Sequence, residues 1–540
     1  MNIGTPEPIL LKGEQMREYI ANGYVLLRPT VPDGTHEIID EKLNWIQEHE
    51  HNPGNNIIPR LPELELVIQS PEVRGGLISV LGENYVVHPH RYWHLRPPGQ
   101  EQISNKGVAD HVSGDCHQDQ YSPSSQPRSH RTRYARIMYY SQDTPIELGP
   151  THVVPGSQYH DEISDEDRGR AMPVHGDAGL VFLSHFDIVH AAGVNLQDRS
   201  RHMIKFIFMR AEEPEQPTWN CEDEAWQPPE DFTAPYDLEP AWRSIWDWHA
   251  GKQGEVSSAD KSTSADFSTL LECLTSDESS VEEKLSVLAE LAKIGPEAAD
   301  AVPNIVELLQ IGHQALRTSA IYTLGFIGEP AIEALAEFLE AAGGEIASEE
   351  SSRWDKRWIS IHDAAYAISA IGVPAVDTLI GLLKSPHEWT RINAAFALGE
   401  MDSQSAPAVS MLAELLNDES NYVIRAATCA LGTIRKEVPI GLLSELLSAD
   451  RPGWDEPKNW GWTVRNAVNT TAAISLARLG HQAADSEAAL VEALRNPIGQ
   501  VGFLAIQALN RIGTETARKA VADELISRYW DSSLSAHRQF

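Results

Sequence analysis

The sequence predicts a multidomain protein of mixed α and β class: an N-terminal jelly roll with flanking helices, then a C-terminal α-solenoid. Three observations predict this. The 540 residues exceed what one hydrophobic core ordinarily serves. Before residue 215, short strand-like runs alternate with turns rich in Gly and Pro, the pattern of a β-sandwich or jelly roll. Beyond Phe267, a helical unit ending near Gly recurs at intervals of roughly 30–33 residues.

Composition narrows the function classes. A hydrophobic content of 42% suffices for sizeable cores, and no apolar run approaches the ~18 residues of a spanning helix. The first residues carry Glu7, Lys12, Glu14, Arg17 and Glu18, unlike a signal or transit peptide. Cys116, Cys221, Cys273 and Cys429 lie far apart without a CxxC. That usage argues for a reducing, cytoplasmic compartment and against a disulfide scaffold or a Cys-ligated zinc site. A formal charge of -35 favours solubility and disfavours nucleic acid or anionic membrane as partners. Most of the 21 histidines precede residue 250, which makes the first half the place to look for a metal site.

In chain order, residues 13–21 read as a helix and 23–28 as a strand closed by Pro29 and Pro32. A helix is expected at about 34–49, with Ile38, Ile39, Leu43 and Ile46 at helical spacing, and a shorter one near 71–81. Strands are expected at 85–95, 133–140, 180–190 and 203–209.

The stretch Asp115-Cys-His117-Gln-Asp119-Gln-Tyr121 carries the chemistry. On a strand, His117 and Asp119 point to one face. With one distal His they would form a 2-His-1-carboxylate triad, the donor set that leaves open positions on a non-haem Fe(II). Two later stretches complete a pattern. One is Gly149 through Ser157, ending Pro-Gly-Ser. The other runs from Gly179 through His190, Gly193 and Asn195 to Arg201.

Residues from about 10 to 215 resemble the phytanoyl-CoA dioxygenase family of Fe(II)/2-oxoglutarate oxygenases. His117 and Asp119 match its His-x-Asp. Gly149 to Ser157 match its Pro-Gly-Ser turn. His190, Gly193, Asn195 and Arg201 match its distal His with the Gly, Asn and Arg that follow. Gly179-Leu180 departs from the family's usual Gly-Asp. The resemblance implies a double-stranded β-helix with Fe(II) on His117, Asp119 and His190. It implies 2-oxoglutarate as cosubstrate, its distal carboxylate held by Arg201. A guanidinium suits that task because it pairs with a carboxylate through two hydrogen bonds. Arg199 is the rival by position. The implied reaction hydroxylates a C–H bond while 2-oxoglutarate and O2 yield succinate and CO2. Asp119 argues against halogenation, where the carboxylate ligand is replaced to admit halide.

Other histidines weigh differently. His185 differs in strand parity from His190 and should face away, and His202 should likewise point away from the side chain of Arg201. His111, His130, His152 and His160 are expected at the surface. Arg128, His130, Arg131, Arg133 and Arg136 form a basic run in an acidic chain. It is either a loop that recognises an anionic substrate group or a solvated loop. Trp242, Trp246 and Trp248 are expected to pack on the first domain, and Gly251 to Asp266 has linker composition.

In the second half, Arg317, Arg391 and Arg425 stand seven residues before Leu324-Gly325, Leu398-Gly399 and Leu431-Gly432, which read as helix ends. Further ends are expected at Gly295, Gly372, Gly480 and Gly513. The unit resembles a HEAT repeat, in roughly seven copies. Two insertions, Gly343 to Trp358 and Asp450 to Trp462, carry Trp354, Trp358, Trp454, Trp460 and Trp462. They are either a contact surface for the oxygenase domain or a partner, or loops closed by packed Trp. The expected domains are 1–250, a linker at 251–266, and 267–540. The expected function is an Fe(II)- and 2-oxoglutarate-dependent hydroxylase of a small, anionic molecule, with a protein partner engaged through the repeats. The alternative is a catalytically idle ligand-binding jelly roll on a HEAT-repeat scaffold.

Overall fold

The computed structural model describes residues 6–99, 112, 116–119, 128–223, 225–230, 232–252, 267–348, 361–452, 454 and 466–528. They fall into two compact units. One is built from Met1–Asp119, Ser129–Pro235 and Lys519–Phe540, the other from Gln120–Arg128 and Tyr236–Arg518.

The first unit opens with α1 (Gly13–Asn22), β1 (Tyr24–Leu27) and α2 (Thr35–His49). Gly23 ends α1 in the left-handed conformation, φ 83°, and its N–H returns to the Tyr19 carbonyl. In α2, Ile39, Leu43 and Ile46 are buried as the spacing predicts, whereas Ile38 is exposed. Two short helices, α3 (Ile57–Arg60) and α4 (Leu64–Ile68), precede α5 (Pro71–Leu81). The latter starts as its sequence dictates, with Ser70 accepting from the Val73 N–H and Pro71 in the first turn.

Seven strands follow: β2 (Val86–Arg96), β3 (Tyr134–Tyr139), β4 (Thr151–Val153), β5 (Met172–Pro173), β6 (Val181–His185), β7 (His190–Ala192) and β8 (Arg201–Met209). They form a five-stranded sheet in the order β1-β6-β3-β8-β2 and a three-stranded sheet, β5-β4-β7. The stretch 180–190 is therefore two strands in two sheets, split by the turn at Phe186–Val189, and not one strand ending in His190. Consequently His190 and Arg201 do not face each other across a hairpin: β7 pairs with β4, and β8 pairs with β2 and β3.

Register decides which side chains face inward, because directly opposed residues share a face. Met138 stands opposite Phe182 on β6 and Lys205 on β8. Met138, Phe182 and Met203 join Val153 and Ile188 in one buried cluster between the sheets. Arg201, Met203 and Lys205 thus line the interior, opposite Arg96, His94 and Tyr92 of β2. Arg136, opposite Ile207 and Ser184, lies on the same face. The outer face of the larger sheet packs on α5, where a Cβ on Gly76 would stand 2.8 Å from Leu27.

The second unit is helical. Among the described residues seven helices, one from each repeat, stack in succession: Val281–Ile294, Gln314–Ile327, Asp363–Ile371, Glu388–Glu400, Asn421–Ile434, Ala467–Leu479 and Gly499–Ile512. Gly295, Gly372, Gly480 and Gly513 end helices as expected. Gly325, Gly399 and Gly432 do not. They lie inside their helices, where a Cβ would meet the next helix at Ala370, Ala430 and Ser475. Their smallness sets the helix–helix approach. The recurring Arg ties repeats together: Arg317 reaches Asp363 at 2.6 and 3.4 Å, and Arg391 reaches Asp418 at 2.9 and 3.1 Å.

The helix Glu239–His249 belongs to this second unit, contrary to the expectation that its tryptophans pack on the first domain. Arg243 of that helix stacks on Phe326 at 3.8 Å. Trp454 is buried against Arg451. Residues 253–266 of the expected linker, and Trp354, Trp358, Trp460 and Trp462, lie outside the described residues. Among the described residues no single helix is long and apolar enough to cross a membrane.

Candidate metal centre

His117 does not belong to a ladder strand. It forms an isolated antiparallel bridge with His190, each residue's N–H bonding the other's carbonyl at 2.9 Å. That bridge, continued by the Val153–His190 pairing, sets the two imidazoles side by side with ring centroids 4.4 Å apart. Asp119 follows two residues on. Its carboxylate lies 3.8 Å from Nε2 of His117 through Oδ1 and 3.8 Å from Nε2 of His190 through Oδ2. Donor atoms of His117, Asp119 and His190 all lie within 4.8 Å of one another.

The residues around the triad hold it in shape. Gln118 points the other way, its amide donating to the carbonyls of Ser157, His160 and Asp187 at 3.3, 2.9 and 2.8 Å. One side chain thereby fastens the His-x-Asp segment to the Pro-Gly-Ser turn and to the loop before His190. Ser157 receives the Val189 N–H at 2.9 Å and braces the same loop. Asn195 closes the turn after His190 by donating to the Arg96 and Arg199 carbonyls. Gly149 and Gly193 let the two loops touch: a Cβ on Gly193 would stand 2.4 Å from the Pro150 carbonyl oxygen.

The protonation states suit a divalent metal. His190 Nδ1 lies 3.1 Å from the Ile188 carbonyl, an acceptor only, so Nδ1 carries the hydrogen and Nε2 turns its lone pair into the site. Burial, with Arg136 beside it, pushes the His190 imidazolium well below its ordinary range, so the ring is neutral. Burial alone would raise the Asp119 carboxyl. Lys205 and Arg136 outweigh it and hold the group well below the ordinary carboxylate range. Two imidazoles and one carboxylate fit Fe(II) as a donor set.

Two cations crowd Asp119. Arg136 Nη1 donates to Oδ2 at 2.5 Å and stands 3.3 Å from His190 Nε2, and Lys205 Nζ donates to the same Oδ2 at 3.0 Å. Arg136 belongs to the basic run, but it sits on β3, fully buried, rather than in a loop. Arg133 pairs with Glu213, and Arg128 lies in the second unit, where its carbonyl accepts from the Tyr366 hydroxyl at 2.8 Å. The run is therefore not a solvated loop: His130, Arg131, Arg133 and Arg136 are buried.

Arg201 is buried on the interior face, donating through Nε to the Gly149 carbonyl at 3.1 Å and through Nη1 to that of His94 at 3.4 Å. Arg199 is exposed in the turn. His202 faces the helices, receiving the Trp93 indole N–H at 3.2 Å and reaching Asn44 of α2 at 3.0 Å. His185, opposite Ala135, lies on that outer face as well. His130 and His152 are buried and His160 pairs with Asp167 at 3.2 Å, so none is a surface histidine as expected; His111 lies outside the described residues.

Sequence reasoning missed Lys205 and His94. Lys205 is the one charge within the apolar run Met203–Met209 and shares strand parity with Arg201, a usable signal. His94 lies within electrostatic reach of Lys205, Arg201 and Asp119, and its Nε2 is buried without a hydrogen-bond partner among the described residues.

Comparison with known proteins accords with this geometry. Residues 19–203 match the phytanoyl-CoA dioxygenase (PhyH) family, and residues 267–351 and 361–455 match HEAT repeats. No curated protein matches the chain. Three solved structures are similar at low identity. A non-haem alpha-ketoglutarate-dependent carbocyclase, SnoK from nogalamycin biosynthesis, matches 38% of this chain and 88% of its own at 17% identity, with a TM-score of 0.29. AviO1 from Streptomyces viridochromogenes Tue57 matches 37% and 95% at 17% identity, TM-score 0.30. The non-haem monooxygenase ThoJ, as a nickel complex, matches 42% and 89% at 16% identity, TM-score 0.27. The chain thus carries an N-terminal phytanoyl-CoA dioxygenase domain, of the Fe(II)/2-oxoglutarate-dependent oxygenase family, followed by C-terminal HEAT repeats.

Proposed function

We propose that the first unit is an Fe(II)- and 2-oxoglutarate-dependent dioxygenase that hydroxylates a small, anionic molecule. His117, Asp119 and His190 serve as metal ligands and Arg201 holds the distal carboxylate of 2-oxoglutarate. The observation that carries this reading is the convergence of the three donors within 4.8 Å, with the Nδ1–H of His190 fixed on the Ile188 carbonyl. Bound there, Fe(II) with 2-oxoglutarate and O2 supplies the oxidising power for hydroxylation at carbon. The chain's own residues supply the rest. His190 and Asp119 present their donor atoms in the neutral and ionised forms that a divalent ion needs. Gln118 holds the His-x-Asp segment against the loop of His190. Arg201 brings a fixed positive charge to the interior, so a dicarboxylate binds in one orientation. His117 is the open side of the site, its side chain 53% exposed against 7% for His190, and substrate approaches from there.

Succinate formation from 2-oxoglutarate, with and without candidate carboxylate and phosphate compounds, tests the activity; Co(II) or Fe(II) titration tests the ligands. His117→Ala and Asp119→Ala should each abolish both. Stoichiometric iron binding by either variant would sink the triad assignment. One observation favours a second reading, a catalytically idle ligand-binding module: Arg136 already donates to two of the three donor groups. Absence of succinate under every condition, in protein that stays folded, would favour that reading. The HEAT repeats we assign to binding a protein partner, tested by whether substitutions of exposed side chains on the repeats of the full-length chain keep its turnover but lose its partners in the cell.

A further inference from the structure

The described residues place more positive charge around Asp119 than one carboxylate needs. Arg136 and Lys205 both donate to its Oδ2, and Arg201 lies on the same interior face two residues along from Met203. The position of Arg136 has a sharper consequence. Its Nη1 stands 3.3 Å from Nε2 of His190, while Nδ1 of that ring faces the Ile188 carbonyl at 3.1 Å. Nδ1 therefore carries the ring's hydrogen, and Nε2 is left with one lone pair, directed at the guanidinium. A nitrogen with one lone pair either accepts a hydrogen bond from Arg136 or ligates a metal. It cannot do both.

The surroundings of Arg136 fit a group that exchanges partners. It is fully buried, its Nη2 donates to the Phe186 carbonyl at 3.3 Å, and its Nε has no hydrogen-bond partner among the described residues. The Phe186 ring lies 5.5 Å from its Cζ. The guanidinium is thus held by Asp119 and Phe186 with its Nε unused, so a shift away from His190 alone forfeits one long hydrogen bond.

We propose that Arg136 is a resident counter-cation of the metal centre, competing with a divalent ion for His190 and Asp119 and so setting the affinity of the site. The inference rests on the assignment of His117, Asp119 and His190 as metal ligands. When a metal binds, the Arg136 hydrogen bond to His190 breaks and its charge is repelled from Asp119. Without metal, Arg136 neutralises a half-buried carboxylate that would otherwise cost stability. Metal loading is weakened by the free energy of that exchange, and a tightly binding ion displaces Arg136 where a weak one does not.

The test titrates Co(II) and Mn(II), without 2-oxoglutarate, into the metal-free full-length protein by calorimetry and by the visible spectrum of Co(II). The variants are Arg136→Gln and Arg136→Lys, each checked by circular dichroism and a thermal melt. Arg136→Gln should bind Co(II) at least tenfold more tightly than the wild type. Arg136→Lys keeps a buried cation, and with it the fold, but its single nitrogen cannot serve Phe186, Asp119 and His190 together. It should tighten binding by a smaller factor. Unchanged or weaker binding by a folded Arg136→Lys or Arg136→Gln protein overturns the proposal and makes Arg136 a positioning residue for Asp119. If the wild type and both folded variants fail to bind Co(II) at all, the triad assignment itself fails and Arg136 has nothing to compete with. Equal, measurable affinities leave the triad standing and remove the competition alone.

Discussion

His202 offers a quantitative check on how the larger sheet divides its two faces. It follows Arg201 in β8, and strand alternation sends it to the helix side, where it is fully buried against Trp93 and Asn44. Trp93 donates to Nδ1, so the neutral ring carries its hydrogen on Nε2 and donates it to the Asn44 side-chain oxygen. Burial, reinforced by Arg201 and Arg199, lowers its pKa from 6.5 to about 4. The sign follows from proton counting. Above about 6.5 neither the folded nor the unfolded chain holds the proton, and His202 costs nothing. Between 6.5 and 4 the unfolded chain takes up a proton that the folded chain refuses, so stability falls as pH falls. The loss is about 2 kcal/mol at pH 5 and about 3 kcal/mol once complete, below pH 4. His202→Gln retains a hydrogen-bonding side chain without the titration. The two units need not unfold together, so the readout must be local: protection of β8 amides in hydrogen exchange, converted to opening free energies at pH 8 and pH 5. The wild type should lose about 2 kcal/mol more than His202→Gln over that range. Equal losses would show that His202 is not held neutral on the helix face, and the division of faces built on register would be wrong.

Three further predictions concern the site. Arg201→Ala should weaken 2-oxoglutarate binding by about 10–100-fold, the worth of charge-assisted hydrogen bonds. Its Mn(II) affinity should stay within about threefold of wild type by calorimetry; equal loss of both would point to misfolding or to Arg199 as the true partner. His117→Ala and His190→Ala should both abolish metal binding. Only His190→Ala, whose ring is buried and bonded to Ile188, should also lower the unfolding free energy of the first unit, by about 1–3 kcal/mol in urea titration. Gly193→Ala brings a Cβ to 2.4 Å from the Pro150 oxygen, so the two loops must part. A loss of roughly 2 kcal/mol or more, with weaker 2-oxoglutarate binding, is expected, and a variant as stable as wild type would show that the close approach is not needed.

The elements that were legible in the sequence share a physical reason. α1, α2, α5 and β8 carry complete local signals, an apolar period together with a capping or breaking residue at the end. The meeting of His117, Asp119 and His190 was legible because the three motifs have fixed order and chemistry, even though His117 proved to lie in a single bridge and not in a strand. What the sequence could not yield is sheet membership. The turn at Phe186–Val189 is built of Phe, Asp, Ile and Val, without Gly or Pro, and reads as continuous strand. Only long-range pairing of β7 with β4 reveals the change of sheet. The same cause hid Lys205 and Arg136, since their convergence on Asp119 depends on β3 lying beside β8. In the repeats, Gly325, Gly399 and Gly432 were misread because a helix-ending glycine and a helix-packing glycine leave the same mark in one sequence.

The acidity of the chain and the basicity of this pocket are not in conflict. A formal charge of -35 repels a dicarboxylate only over the distance that salt leaves unscreened, about 8 Å at physiological ionic strength. Inside the sheets, protein rather than water separates the charges, and each one counts for more. There the balance is set by Arg136, Lys205 and Arg201 against Asp119. An ion of charge +2 entering alone adds to an excess of the same sign. A dicarboxylate entering with it offsets the charge that the ion adds and gives Arg136 an acceptor to replace His190. In the proposed reading, metal and 2-oxoglutarate therefore stabilise each other's binding beyond direct chelation, and by linkage the coupling is equal in both directions. In that reading the four interior side chains, and not the net charge of the chain, decide what the site can hold.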